Sequence, residues 1–249
     1  MLNTIRHGTP TDRTPLLIAH GLFGSARNWG VVAKRLSSDR EVVAVDMRNH
    51  GASPWSDEHS YAALAGDLAE VIGDRRHDVL GHSMGGKAAM VLALTEPDAV
   101  RRLVVADIAP VTYGHTQSHL IAAMQAVDLS KVDRRSDAVA QLSDVPDDGT
   151  RAFLLQSLDA AGGRWTLNLD ALDAEMPKII GFPDIGGQSA APALFLSGGE
   201  SDYVRPEHRN PIRALFPEAR FAKIPGAHHW LHAEKPREFE AAVRVFLDA

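Results

Sequence analysis

Six short stretches of the chain are apolar at nearly every position rather than at every second one. They are TPLLIAHG (14–21), EVVAVDMR (41–48), HDVLGHS (77–83), RRLVVADIAP (101–110), PALFLSGG (192–199) and RFAKIPGA (220–227). Runs of this kind predict strands buried on both faces, as in a parallel sheet. Between them, apolar residues recur at helical spacing near 26–37, 61–75, 84–96, 206–216 and 236–247. Pro97 falls where the third of these helices must stop, and Pro206 and Pro236 suit the first positions of the last two. Strand and helix in alternation predict an α/β fold with a mostly parallel central sheet flanked by helices.

One interval breaks the rhythm. Residues 111–190 contain no strand pattern, and 119–127, 151–162 and 169–180 read as helical. The expected organisation is a core domain from 1–110 and 191–249, with a helical cap over 111–190 inserted between two strands. Such an insertion sits over the strand ends, where active sites form.

Composition narrows the possibilities. The 249 residues are 45% apolar and carry a formal net charge of −6, with no dense Lys/Arg block. Nucleic acid and anionic membrane surfaces are therefore not expected partners. Cys is absent, which removes both a disulfide framework and a thiol nucleophile. The N-terminal MLNTIRHGTP lacks the apolar segment of a signal peptide, and no stretch approaches a membrane span. These features predict a cytoplasmic protein. Oligomeric state leaves no mark in the pattern.

The candidate chemistry starts at Gly81-His82-Ser83-Met84-Gly85, a G-x-S-x-G sequence between a predicted strand and a predicted helix. A strand turning sharply into a helix projects Ser83 at the helix N-terminus, where free N–H groups favour negative charge. Glycines two residues before and after the serine remove Cβ atoms that would otherwise collide. Serine needs a general base, and an oxyanion needs donors. The N–H of Met84 is one expected donor. The second is expected from the loop HGLFGS (20–25), at Leu22, with Phe23 as the fallback. The base is sought after the last strand, in IPGAHHWLHAEKP (224–236), where His228, His229 and His232 compete. Three clustered histidines also raise a metal site, but neither Cys nor regularly spaced carboxylates accompany them, so no metal is assigned. His82 is expected to point away from the serine's face and pack inside.

HGLFGS (20–25), VDMRNHGASP (45–54), GHSMGGKAAM (81–90), DIAPV (107–111) and GAHHWLHAEKP (226–236) together resemble the α/β-hydrolase superfamily. Within it the chain is similar to the small YbfF-like carboxylesterases and their mitochondrial abhydrolase relatives. The resemblance implies Ser83 as nucleophile and His229, which precedes Trp230, as base; His228 stands where the family has glycine. For the acid it implies Asp107 of DIAPV, whereas the spacing usual in the wider superfamily points to Asp202 of GGESDYVRP (198–206). Asp46, ahead of the serine, is expected to hold a turn with Arg48.

The expected function is hydrolysis of small-molecule acyl esters through an acyl-enzyme, with thioesters open to the same machinery and no cofactor required. A cofactor-free haloperoxidase or perhydrolase is the enzymatic alternative. A non-catalytic ligand receptor on the same scaffold is the alternative from another class.

Overall fold

The computed structural model describes all of residues 1–249. Its strands are β1 (Thr4–His7), β2 (Leu16–Ala19), β3 (Val42–Val45), β4 (His77–His82), β5 (Val100–Ala106), β6 (Leu158–Asp159), β7 (Arg164–Trp165), β8 (Ala193–Gly198) and β9 (Ala219–Ile224). The first five helices are α1 (Gly30–Leu36), α2 (Tyr61–Ile72), α3 (Met84–Thr95), α4 (Ser118–Gln125) and α5 (Asp148–Leu154). The remainder are α6 (Leu169–Ala174), α7 (Met176–Ile180), α8 (Arg209–Leu215), α9 (Leu231–Glu234) and α10 (Pro236–Leu247).

Seven strands form one sheet in the order β1-β3-β2-β4-β5-β8-β9. All neighbours are parallel except β1, which runs antiparallel to β3 at the edge. The absence of polar alternation in β2, β3, β4, β5 and β8 has a direct cause, whereas β9, expected to be buried on both faces, is a half-exposed strand because it closes the sheet at its other edge. Leu17, Ala19, Val43, Val45 and Val79 enter one apolar cluster with α2 and α3, while Leu16, Ile18, Val42, Ala44 and Leu80 enter another with α1 and α10. Successive side chains thus meet helices on opposite faces of the sheet. β1 has no such signature, because TIRH is a half-exposed edge strand with polar residues on it.

Between β5 and β8 the chain runs through α4–α7, several 3₁₀ turns and the β6–β7 hairpin. The helix expected over 151–162 stops at Leu154. Asp159 then accepts a hydrogen bond from the Gly162 N–H at 3.0 Å and Gly163 takes φ +60°, which turns the chain back as a hairpin. Buried residues of this insertion, among them Leu120, Ile121 and Leu172, continue the apolar cluster on the α2/α3 side. No helix is long and apolar enough to cross a membrane.

Candidate active site

The C-terminal ends of the parallel strands converge, since Ala19 of β2 pairs with Gly81 of β4, His82 with Ala106 of β5, and Ala106 with Leu196 of β8. The segments that leave these ends, together with those after β3 and β9, carry the residues singled out by the sequence. Ser83 joins β4 directly to α3 and takes φ 52°, ψ −119°. A Cβ on Gly81 would lie 2.2 Å from the Gly85 carbonyl oxygen, and one on Gly85 would lie 2.4 Å from that of Ala19. Both positions accept only glycine at this spacing. Non-glycine residues with positive φ number four, and three of them (Phe23, Ser83 and Asp107) lie at these strand ends. Such strain concentrates where the surroundings hold a residue in one functional orientation.

Ser83, His229 and Asp107 form one hydrogen-bonded chain. The Ser83 hydroxyl lies 3.1 Å from His229 Nε2, and His229 Nδ1–H donates to Asp107 Oδ2 at 2.8 Å. Asp107 is fully buried, whereas the His229 side chain keeps 23% of its surface exposed. Asp107 Oδ1 accepts from the Gly198 N–H at 3.0 Å, and its Oδ2 also accepts from the Ser201 hydroxyl. Its carboxylate is therefore held by β8 on one side and by the following loop on the other.

Asp202, the competing acid, is not part of this chain. Its side chain is exposed and has no hydrogen-bond or salt-bridge partner, and its carbonyl accepts from Arg205 Nε. The loop after β8 turns Ser201 toward Asp107 and Tyr203 toward His229, which leaves the residue between them facing solvent. That loop serves the site through its hydroxyl and its ring. Tyr203 stacks on the His229 imidazole with ring centroids 3.9 Å apart and planes 19° apart.

The loop after β2 borders Ser83. The Phe23 N–H donates to His50 Nε2 at 3.2 Å, which removes Phe23 as an oxyanion donor. The N–H groups of Leu22 and Met84 have no acceptor within the protein, and both residues line the cavity beside Ser83. Behind the loop lies a layer of buried histidines. His50 Nδ1–H donates to the Arg48 carbonyl, and His20 Nδ1–H to that of Gly21, both at 2.8 Å. His20 Nε2 accepts from the Met47 N–H at 2.9 Å. Each ring accepts a backbone N–H at Nε2, so each must be neutral. Burial depresses both, and His50 is lowered further by the neighbouring His20 and His59.

The three histidines after β9 go to separate surroundings. His228 is exposed and bonded to Glu234. His229 faces Ser83. His232 is buried and stacked on Trp29 with centroids 4.1 Å apart, and burial lowers it to about 3. His82 is buried as expected, and its Nε2–H donates to the His229 carbonyl at 2.8 Å, fixing the backbone of that loop. Asp46 holds the turn after β3 through the Ala52 N–H at 3.0 Å and reaches the Ala26 N–H at 2.7 Å. Arg48 is not its partner. The Arg48 side chain turns to α2 and pairs with Asp67 through Nε at 2.6 Å and Nη2 at 2.9 Å.

A cavity of about 280 Å³ opens over Ser83, its walls largely apolar and shared between the core and the 111–190 insertion. Phe23, Ile108, Leu120, Phe153, Met176 and Ile179 contribute to it. Lys87 lines it too, although the residue is only 1% exposed. Its ammonium donates to the carbonyls of Ile180 (2.9 Å) and Gly181 (2.5 Å) and lies 4.9 Å from the centre of the Tyr113 ring. Burial pushes this amine down to about 7, while the two carbonyls and the ring face favour the charged form. The residue was missed as a functional candidate. Its signal was a single charge in a helix, MGGKAAMVLAL, that is otherwise apolar on every face.

The fold and sequence have counterparts among known proteins. The family described as alpha/beta hydrolase fold matches residues 14–236. A mouse sn-1-specific diacylglycerol lipase, ABHD11, is 46% identical over 246 residues, covering 93% of this chain and 80% of the relative. Esterase YbfF of Escherichia coli is 40% identical, covering 95% of this chain and 94% of the relative. The solved structure of a marine microorganism esterase superposes with a TM-score of 0.92 at 38% identity, covering 98% of both chains. The chain belongs to the α/β-hydrolase family, on the branch that holds these esterases and lipases.

Proposed function

We propose that this protein is a serine hydrolase that cleaves carboxylic esters of small molecules through an acyl-enzyme. The observation that carries the reading is the chain Ser83–His229–Asp107, formed at the mouth of a largely apolar cavity. Ser83 Oγ attacks the ester carbonyl as His229 Nε2 takes its proton. Asp107 holds the Nδ1–H tautomer and stabilises the imidazolium that results. The N–H groups of Leu22 and Met84 receive the oxyanion, having no other acceptor to give up. Collapse of the tetrahedral intermediate expels the alcohol, which takes the proton from His229. Water then enters, loses a proton to the same nitrogen and releases the acid. A thioester follows the same path with a thiol as leaving group. In this reading 111–190 acts as the cap that encloses the acyl chain, on a core made of 1–110 and 191–249.

The test is hydrolysis of p-nitrophenyl butyrate by the purified protein and by Ser83→Ala, with mass spectrometry of acid-quenched samples. The wild type is expected to turn over and to carry the butyryl mass on the peptide containing Ser83. Loss of the serine is expected to lower kcat by about 10⁴ to 10⁶. A folded Ser83→Ala protein with wild-type activity would refute the mechanism.

A further inference from the structure

We propose that the substrate's acyl chain ends in a carboxylate or an equivalent anionic oxygen group, and that Lys87 binds it. The inference rests on the esterase reading and deepens it. Lys87 lies one helical turn after Ser83 and lines the same cavity, yet is almost completely buried. An ammonium has three N–H donors. Two go to the Ile180 and Gly181 carbonyls, and the third has no acceptor in the chain. No carboxylate pairs with it, and burial lowers its proton affinity.

The neighbouring hydroxyls do not compensate the charge. Tyr61 OH donates to the Ile179 carbonyl at 2.6 Å, and Tyr113 OH donates to the Tyr203 carbonyl at 2.7 Å while accepting from the Ala109 N–H. Nor is a charge needed to hold α7 in place, since the Tyr113 N–H already donates to the Ile180 carbonyl at 3.0 Å. A buried cation without a counter-charge is costly, and an anion entering the cavity would remove that cost. The leaving alcohol takes its proton from His229 and so lies on the side where Tyr203 stacks on that ring. The proposal therefore runs the acyl chain the other way, along the cavity residues Tyr61, Lys87 and Ile180 of α2, α3 and the end of α7.

The experiment compares mono-p-nitrophenyl adipate and suberate with their methyl-capped diesters, which match them in length and lack the charge. The readout is the ratio of kcat/KM, acid over capped, for the wild type, Lys87→Gln and Lys87→Arg. In an apolar pocket with no cation the acid form is strongly rejected. The wild-type ratio is expected at one or above, and Lys87→Gln is expected to lower it at least about tenfold, as loss of a charged hydrogen bond does. Lys87→Arg, which keeps the charge, is expected to retain more of the ratio than Lys87→Gln. A wild-type ratio below about one-tenth overturns the proposal, and so does a ratio that Lys87→Gln leaves unchanged. If Lys87→Gln does not fold, the wild-type ratio decides alone. A wild type inactive on acid and capped esters alike, with Ser83 unacylated, refutes the esterase reading itself.

Discussion

The Tyr203 ring lies flat against the imidazole of His229, with centroids 3.9 Å apart. The stack limits the imidazole's rotation away from Asp107 and Ser83. Tyr203→Ala is expected to lower kcat about tenfold with little change in KM, because it loosens the ring that must take the serine proton. Tyr203→Phe keeps the ring and is expected to keep the rate. An unchanged kcat in Tyr203→Ala would mean that the stack does not position His229.

The two aspartates are separable. Asp107 donates nothing and accepts from His229, Ser201 and Gly198, whereas the Asp202 side chain faces solvent without a partner. Asp107→Asn presents an amide to Nδ1 and selects the wrong tautomer, so kcat is expected to fall by about 10⁴. Asp202→Asn is expected to change it less than about threefold, as surface substitutions do. Steady-state kinetics on both variants, with thermal melts to check folding, reads the difference. A crippled Asp202→Asn beside a near-normal Asp107→Asn would reverse the assignment.

His50 acts through the loop after β2. It ties up the Phe23 N–H, and Phe23 is held at φ 63°, so the Leu22 N–H stays free beside Ser83. His50→Ala releases that loop. The expected result is a loss in kcat of about 10² with little change in KM, since an oxyanion donor acts on the transition state. A rise in KM alone would place the effect in substrate binding instead.

Buried histidines make the fold acid-labile. His20, His50 and His82 are held below the usual value chiefly by burial, His59 is lowered to about 4 and His232 to about 3. The unfolded chain takes up these protons near the ordinary value of about 6.5, before the folded protein does. Stability is therefore complete above that value and falls as pH drops through it, continuing toward 4 for His59 and 3 for His232. Each group contributes up to about 1.4 kcal/mol per pH unit within its window. Urea midpoints are expected to fall steeply between pH 7.5 and 5. A flat midpoint over that range would mean that these rings are not held neutral.

The sequence by itself determined the architecture and singled out most of the residues that meet at the candidate site. Five of the six apolar runs are strands covered on both faces, as their lack of alternation implied, whereas the sixth, RFAKIPGA, is the half-exposed edge strand β9. Gly81 and Gly85 around Ser83 marked the strand-to-helix turn, since no other residue tolerates a carbonyl at the distance seen there. β1 stayed hidden, because an edge strand with half-exposed polar residues owes its place to pairing with β3 rather than to its own pattern. The hairpin after α5 stayed hidden as well, since two-residue strands leave no periodicity to read.

The tertiary structure alone decided which aspartate meets His229. Both candidates follow strands whose ends lie side by side, and spacing along the chain says nothing about which side chain turns inward. Packing of β5 against β8 places Asp107 under the imidazole, within reach of the Gly198 N–H, and the turn after β8 sends Asp202 outward. The same holds for Tyr203 and Lys87. Each is an ordinary residue in its own segment, and its bearing on the site arises from neighbours far away in sequence: the His229 ring for one, the carbonyls ending α7 for the other. Contacts of this kind are set by how three or four elements meet, which no local pattern encodes.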